Sequence, residues 1–215
     1  MKRITLSICV LLLTLTACTK ETIGGSGTPI SEIRNVANFT KINSEGVFEV
    51  TITQGNSQSV ELTADDNIMQ RVKTEVVDNE LRLYLDDRNY RDIRLKANII
   101  VERMNGIKNA GTGDIVISNI DEIGNFIVSN SGTGNISITG SAESLTLQNE
   151  GDGKFNGFQF IVSNCSVEII GSGDCEVHPT STLNMNIEGS GDVYYKGTPA
   201  IEANISGSGN VIDAN

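Results

Sequence analysis

Apolar and polar residues alternate through the second half of the chain, and the alternation returns at a nearly constant spacing. Positions six, four and two residues before a recurring Gly-x-Gly segment, and four residues after it, are mostly apolar, with Ser, Thr, Asn, Glu and Lys between them. A period of two places the apolar set on one face of a strand. The six segments begin 18 to 21 residues apart, at Gly111, Gly132, Gly151, Gly171, Gly189 and Gly207.

This spacing, without a helical period, is typical of stacked β-strands. We predict an all-β protein in which residues 105–215 form a right-handed, parallel β-helix-like solenoid of about six rungs, with one corner per rung. At each corner, a positive φ or a close backbone approach would exclude a Cβ. The structural glycines are therefore predicted to be Gly111, Gly113, Gly132, Gly134, Gly151, Gly153, Gly171, Gly173, Gly189, Gly191, Gly207 and Gly209.

Three asparagines occupy one offset of the pattern, two residues before a corner: Asn109, Asn130 and Asn149. With rungs stacked at ~4.8 Å, equal offsets become rows along the axis. We expect the amides to hydrogen-bond from rung to rung and to the backbone at the bend.

The preceding region, residues 34–104, alternates like strands but lacks the glycine corner. We expect antiparallel strands that cap the N-terminal end of the solenoid. Within it, residues 54–58 are predicted as a hairpin loop, residues 78–79 as a tight turn, residues 65–71 as one helical turn with Asp65 or Asp66 as its cap, and residues 86–92 as a solvated loop.

The first residues of the chain have the pattern of an export signal. Residues 1–17 combine basic residues with a short apolar run, which predicts a signal peptide. Leu15-Thr-Ala-Cys18 matches a lipoprotein lipobox, so we expect lipidation at Cys18 and a flexible, glycine-rich tether over residues 18–33. The expected location is the cell envelope, attached to the outer membrane of a Gram-negative bacterium by this lipid anchor.

The net charge of the chain limits the classes of partner that it could bind. The net charge of the whole chain is −11, and without Lys2 and Arg3 the remaining 14 basic and 27 acidic side chains give −13. This balance argues against a nucleic-acid partner. Cys165 and Cys175 could form a disulfide, but their apolar offsets favour two buried thiols. With one histidine in the chain, we expect no zinc site, and no cofactor is implied.

Two sharper interpretations arise from the acidic corners. Gly-x-Gly-x-Asp could bind calcium, but Asn or Lys replaces Asp at three of the six corners, which favours turn chemistry. Asp174 and Asp192 on adjacent rungs could serve a polysaccharide-cleaving enzyme, with further acid from Glu150, Glu168 and Glu188. The chain has no tryptophan and few aromatic residues, whereas sugar-cleaving grooves usually have aromatic platforms. We therefore favour a non-catalytic protein and keep the glycosidase as the alternative.

The outward positions suggest what such a protein would do. Faces lined by Ser, Thr and Asn suit shallow recognition of a glycan or a protein, and Tyr194 is the candidate contact aromatic. The final strand would leave an edge through which the chain could form oligomers. The leading hypothesis is a surface-binding or structural module.

The chain resembles the head GIN-domain family of secreted bacterial auto-transporter adhesins. The resemblance rests on the lipoprotein leader and on the segments Val47–Gly55, Leu62–Asp65 and Glu80–Leu83, together with the Gly-Ser-Gly-Asp corners at Gly171 and Gly189. It implies an all-β fold with β-helical stacking, a cell-envelope location and a role in adhesion. It brings no catalytic residues. One departure is Met104-Asn105, where the family pattern would have a proline.

Overall fold

The computed structural model describes residues 21–215, and this part of the chain is all-β. It contains seventeen strands and one short helix. The elements are β1 (Thr22–Gly24), β2 (Pro29–Ile33), β3 (Lys41–Ser44), β4 (Phe48–Gln54), β5 (Ser59–Asp65), α1 (Asp66–Met69), β6 (Val72–Val77), β7 (Glu80–Leu85), β8 (Asn89–Arg91), β9 (Leu95–Val101), β10 (Gly106–Asn109), β11 (Ile115–Asn130), β12 (Ile136–Asn149), β13 (Phe155–Ile169), β14 (Cys175–Ile187), β15 (Val193–Tyr195), β16 (Ala200–Ile205) and β17 (Val211–Asp213).

Strands β10 to β14 pair in parallel in their chain order. Both β15 and β16 then pair with β14 in parallel, and β17 pairs with β15. The register keeps equal offsets together, as in the row Val128, Leu147, Val167 and Met185. The parallel pairing that the spacing predicted is therefore present.

The apolar offsets form one continuous core. The largest side chains on this face are completely buried, and the rings of Phe126 and Phe160 meet edge to face with centroids 5.5 Å apart. Cys165 and Cys175 lie in the same core as free thiols, which is the alternative that their offsets favoured. Burial raises the pKa of both thiols, that of Cys175 to about 12.

The glycine segments stack on one another, and the reason for glycine is close approach. None of the twelve predicted glycines has a positive φ. A Cβ on any of them would lie 1.9 to 2.3 Å from a backbone carbonyl oxygen of the preceding segment. The stack also extends one layer further than the motif, because a Cβ on Gly111 would meet the carbonyl of Gly46. Gly46 escaped the pattern since Phe48 stands where the second glycine would be.

The asparagine row lies at the inner side of these segments. Asn109, Asn130 and Asn149 are buried, and each amide nitrogen donates to one or two glycine carbonyls of its own or the next segment. For Asn149 the two N···O distances are 3.0 and 2.9 Å. The expected bonding to the backbone at the bend is confirmed.

The expectation of antiparallel strands before residue 105 is confirmed for some strand pairs and wrong for others. β4 lies in parallel between β9 and β11, and β3 lies in parallel between β7 and β10, while β2–β5–β9 and β6–β7 are antiparallel. The hairpin predicted at residues 54–58 is also wrong, because β9 separates β4 from β5. The inward alternation of β4 matches β11, as Val50 opposite Ile115 shows, so β4 continues the parallel stack.

Two of the three remaining predictions for short segments in this region are confirmed. The turn at residues 78–79 is confirmed, with φ of 51° and 61°, and joins β6 to β7. The helical turn is confirmed as α1, with Asp65 at its N-cap position but without a side-chain cap bond. The predicted loop over residues 86–92 instead contains β8, because its backbone pairs with β1.

The flexible tether expected over residues 18–33 is wrong for the part that the structure describes. β1 pairs in parallel with β8, and all five residues of β2 pair with β5. Main-chain hydrogen bonds hold these strands, so glycine-rich composition does not prevent their formation. The signal peptide at residues 1–17 and the lipidation at Cys18 lie outside the described residues. Within residues 21–215, no helix has the length and apolar character needed to cross a membrane.

Candidate binding surface

One row of outward side chains crosses strands β11 to β15. It is formed by Val116, Ser137, Asn156, Glu176 and Tyr194, which lie opposite one another in the parallel register. Their neighbours in sequence point inward and are buried, or partly buried in the case of Tyr195, so strand alternation directs this row to the surface.

A shallow groove, which we call the Tyr194 groove, follows this row. It consists of two adjoining depressions of about 430 and 130 Å³ that share Asn156 and Glu176. Phe158 and Lys196 line the larger depression, and Tyr194 lines the smaller one together with Lys154 and Asp174. The groove therefore places a phenyl and a phenol ring beside an amide and a carboxylate.

Two opposite charges are fixed at the Tyr194 end of the groove. Lys154 Nζ donates to Asp174 Oδ2 at 2.7 Å. This hydrogen bond is the main cause that lowers the pKa of Asp174, and it also raises the pKa of Lys154. Both groups therefore stay charged near neutral pH, and Asp174 is poorly suited to act as a general acid.

Lys196 supports the aromatic wall at the other end. Its ammonium nitrogen lies 4.7 Å from the centroid of the Phe158 ring, within cation–π range. Nearby, Asn156 donates to the hydroxyl of Ser137 at 3.1 Å. The groove thus offers a ring face, amide and hydroxyl groups, and both signs of charge.

The corner aspartates have a structural use. Asp114, Asp174 and Asp192 each accept a hydrogen bond from the backbone N–H one layer further on, at 2.8, 3.1 and 2.7 Å. Asn135 does the same for the N–H of Lys154 at 3.0 Å. These side chains replace the sheet hydrogen bonds that the bend interrupts. Within the described part of the chain, no three His, Cys, Asp or Glu side chains gather as a metal site.

A second outward face, on the later halves of β11 to β14 and on β16, is lined by hydroxyl and amide groups. Asn164 accepts from the Thr182 hydroxyl at 2.8 Å, and Asn204 donates to Asn186 at 2.9 Å. A depression of about 400 Å³ crosses this face beside Glu168. The side chains of this second face bond mainly to each other across strands.

Sequence reasoning placed some of these residues and missed others. Tyr194 points outward as expected and lines the groove, half-buried, while Tyr195 packs against the core; its role as a contact residue stays a prediction. His178 has Nδ1 3.0 Å from the carbonyl oxygen of Phe158 and so helps to hold that segment. Phe158 and Lys196 were missed. Strand alternation did not indicate that Phe158 points outward, because the register shifts in β13 and Phe160, also at an odd offset from Phe155, is buried.

The fold and its surface define an all-β protein whose candidate sites are shallow and open. Residues 38–199 match the family described as "Putative auto-transporter adhesin, head GIN domain". The match covers more than half of the chain, and the chain belongs to this family. The family resemblance drawn from its residues is confirmed.

Solved structures share this fold. A "putative adhesin" of Bacteroides fragilis NCTC 9343 is 24% identical with a TM-score of 0.73, covering 89% of this chain and 99% of that one. A "putative lipid binding protein" of Parabacteroides distasonis ATCC 8503 is 21% identical with a TM-score of 0.51, covering 91% and 100%. A "putative adhesin" of Parabacteroides merdae ATCC 43184 is 19% identical with a TM-score of 0.51, covering 90% and 99%. At such identities the likeness shows the fold alone. No curated protein matches the chain.

Proposed function

We propose that the chain is an adhesin-like binding module of the cell envelope that performs no catalysis. The Tyr194 groove is the observation that carries this proposal, and family membership is consistent with it. In this proposal residues 105–215 wind as a right-handed parallel β-helix, β3 and β4 extend its parallel stack, and the antiparallel strands within residues 34–104 close its N-terminal end. The outward faces then run along the helix axis and are available to a ligand.

A glycan is the ligand class that the groove suits best. Sugar rings stack their apolar face on aromatic side chains and present hydroxyl groups to amides and carboxylates. Phe158 and Tyr194 would supply the platforms, and Asn156 and Glu176 the hydrogen bonds. The open shape suits an extended chain of sugars that lies across several strands.

The proposed location follows from the leader and the family. Lipid on Cys18 would attach the protein to the outer membrane, and adhesin-family membership points to an exported or surface protein. Because β2 is paired with β5, the lipid would lie close to the folded domain and not at the end of a long linker.

Self-association is a second part of the proposal. β16 is exposed along its whole length, and its Ile201 and Ile205 are 44% and 46% exposed. An exposed strand edge with apolar side chains can pair with another chain. Oligomers would then form through this edge, which leaves the Tyr194 groove free.

A glycan array tests the function, using the chain from Thr19 onward so that β1 and β2 are kept. Retention of a glycan that is lost in Phe158→Ala and Tyr194→Ala, but kept in Tyr84→Ala, is the expected result. Tyr84 is a suitable control because it lies in β7, outside the groove. Retention unchanged in both groove variants would overturn the assignment of this site.

The same polysaccharides should be assayed for released sugar, with and without calcium. We expect no release in either case. Release that disappears in Asp174→Asn or Asp192→Asn would replace the binding module with the enzyme alternative. If no glycan binds and a protein ligand is retained instead, the assignment of a glycan as the ligand class is wrong.

A further inference from the structure

A separate cleft lies on the outward face of the antiparallel strands β2, β5 and β9. It has a volume of about 570 Å³ and is roofed by the segment before β2. Its polar lining includes Ser26, Thr63, Asp65, Asp92, Arg94 and Lys96. The size is within the range of small-ligand sites, about 300–1,000 Å³. None of these residues takes part in the Tyr194 groove.

Asp65 is the unusual member of this cleft. It is only 5% exposed, yet no residue from 21 to 215 donates a hydrogen bond or an ion pair to its carboxylate. It occupies the N-cap position of α1, where an aspartate normally accepts a backbone N–H, and makes no such bond. A largely buried carboxylate without a protein partner is unfavourable, and because Asp65 lines the cleft, a cationic group entering the cleft would stabilise it.

The alternation of β5 and β9 places two cations on the same face. Ala64 and Leu95 lie opposite each other and are buried, so Asp65, which follows Ala64, and Arg94, which precedes β9, point to the outer side. Lys96 lies opposite Thr63 on that same side. No ion pair of the described residues joins Asp65 to either cation. Opposite charges therefore line one cleft without neutralising each other.

The two cations differ in their other contacts. Lys96 Nζ is 2.9 Å from a carboxylate oxygen of Glu49. Arg94 is exposed and has no ion-pair partner among residues 21–215. Its planar guanidinium can hold a phosphate or carboxylate through two parallel hydrogen bonds. Arg94 is thus the available anion-binding group.

The roof of the cleft is held in place before any ligand arrives. Ser26 donates from its hydroxyl to Asp66 at 2.6 Å and from its backbone N–H to Asn67 at 3.1 Å. Asn67 in turn donates to the carbonyl of Gly24 at 2.8 Å, and Gly25 N–H donates to Arg91 at 3.2 Å. A fixed roof lowers the entropy that binding would otherwise cost.

We propose that this cleft binds a small zwitterion. Its ammonium group would lie on the Asp65 carboxylate, and its acidic group would lie on the Arg94 guanidinium. This chemistry is shared by free amino acids, by phosphoethanolamine and by the headgroup of phosphatidylethanolamine. The proposal goes beyond the adhesin-like role and uses a different part of the sheet.

Calorimetry on the chain from Thr19 onward tests it with phosphoethanolamine and glycine, and with ethanolamine and inorganic phosphate as half-ligands. At least one zwitterion should bind about tenfold more tightly than its halves, because two charge-assisted contacts act together. Sedimentation with vesicles of phosphatidylethanolamine in phosphatidylcholine, against phosphatidylcholine alone, distinguishes a headgroup from a free ligand. If no zwitterion, free or in a vesicle, exceeds its halves or its control, the proposal is wrong.

Variants locate the site. Asp65→Asn and Arg94→Gln should each weaken binding about tenfold or more, since each removes one charged contact. Asp121→Asn and Lys108→Gln are matched controls, being exposed and outside the cleft, and should bind like the wild type.

Thermal unfolding without ligand separates a binding role of Asp65 from a structural one. Asp65→Asn should unfold no lower than the wild type, because it removes a buried charge that has no partner. A lower unfolding temperature together with unchanged binding would assign Asp65 to the fold and overturn the proposal.

Discussion

Replacing Gly151 with alanine should destabilise the fold sharply. Gly151 lies in the middle of the stacked glycine segments, and a Cβ there would be 1.9 Å from the carbonyl oxygen of Gly132. Real Cβ atoms essentially never approach another heavy atom closer than 3.0 Å. The neighbouring strands would therefore have to separate by about 1 Å before the contact became tolerable.

That separation acts on the hydrogen bonds that join the layers. Gly151 N–H donates to Asn130 at 3.1 Å, and Gly153 N–H donates to Gly132 at 3.3 Å. An overpacked site costs about 1–3 kcal/mol, and each weakened hydrogen bond adds up to about 1 kcal/mol. We expect a total loss of about 3 kcal/mol, which for a domain of this size lowers the unfolding temperature by roughly 6–12 °C.

Scanning calorimetry on the two variants Gly151→Ala and Gly124→Ala provides the measurement and its control. Gly124 also lies in a strand, but its nearest neighbour to a new Cβ would be a Glu122 carboxylate oxygen at 3.6 Å, and its φ is not positive. Gly124→Ala should leave the unfolding temperature unchanged or slightly raised. If Gly151→Ala unfolds within about 2 °C of the wild type, close approach is not what requires these glycines.

Three further predictions concern buried and charged groups. Asn149→Leu should cost about 1–3 kcal/mol in urea unfolding, since the buried Gly173 carbonyl loses its side-chain donor while the Gly153 carbonyl keeps Asn130; a change below about 0.5 kcal/mol would contradict this. The lowered pKa of Asp174 means that its pair with Lys154 contributes stability above the unfolded-state pKa, near 3.9, and loses it as pH falls through the lower folded-state pKa. Asp174→Asn should therefore be destabilised by no more than about 1 kcal/mol at pH 7 and match the wild type at pH 2; a difference that persists at pH 2 would exclude this cause. Cys165 and Cys175 should resist a thiol reagent at pH 8 in the native state and both react after unfolding, because burial raises their pKa; an intact mass 2 Da lower, indicating a disulfide, would be inconsistent with free thiols.

The second half of the chain was predictable because each structural duty recurs at a fixed offset. A single apolar residue or glycine says little, but six of them at the same offset from a repeated segment identify an inward row or a close approach. The asparagine row shows the same point: Asn109, Asn130 and Asn149 could be assigned to a buried bend because they share an offset, although an isolated asparagine is usually exposed.

The first half was less predictable because alternation specifies the face of a strand and not its partner. β4 and β5 follow each other in sequence, and a hairpin was the simplest pairing, yet β9 lies between them. Likewise, β2 is held by backbone groups that every residue carries, so its composition gave no signal. Nothing local distinguishes these pairings from their alternatives.

The two candidate sites also differ in how far the sequence could predict them. Tyr194 could be selected because an outward aromatic is rare in this chain, whereas the register shift in β13 hid the outward position of Phe158. The cleft at Asp65 could not, because it depends on a strand, a helical turn and a roof that are distant in sequence. An aspartate before a short helix is normally a cap, and only the structure reveals that Asp65 makes no cap bond.

The division of duties within the repeat favours recognition over catalysis. Inward rows hold the core, glycines allow the layers to approach, and corner residues such as Asp174 and Asp192 accept backbone N–H groups from the next layer. A residue committed to stacking cannot change without loss of stability. The outward side chain of Tyr194 makes no hydrogen bond to a neighbouring layer within residues 21–215. Binding specificity can therefore change along the groove while the fold is kept, whereas a carboxylate pair taken from the corners would have to serve the stack and a reaction at once.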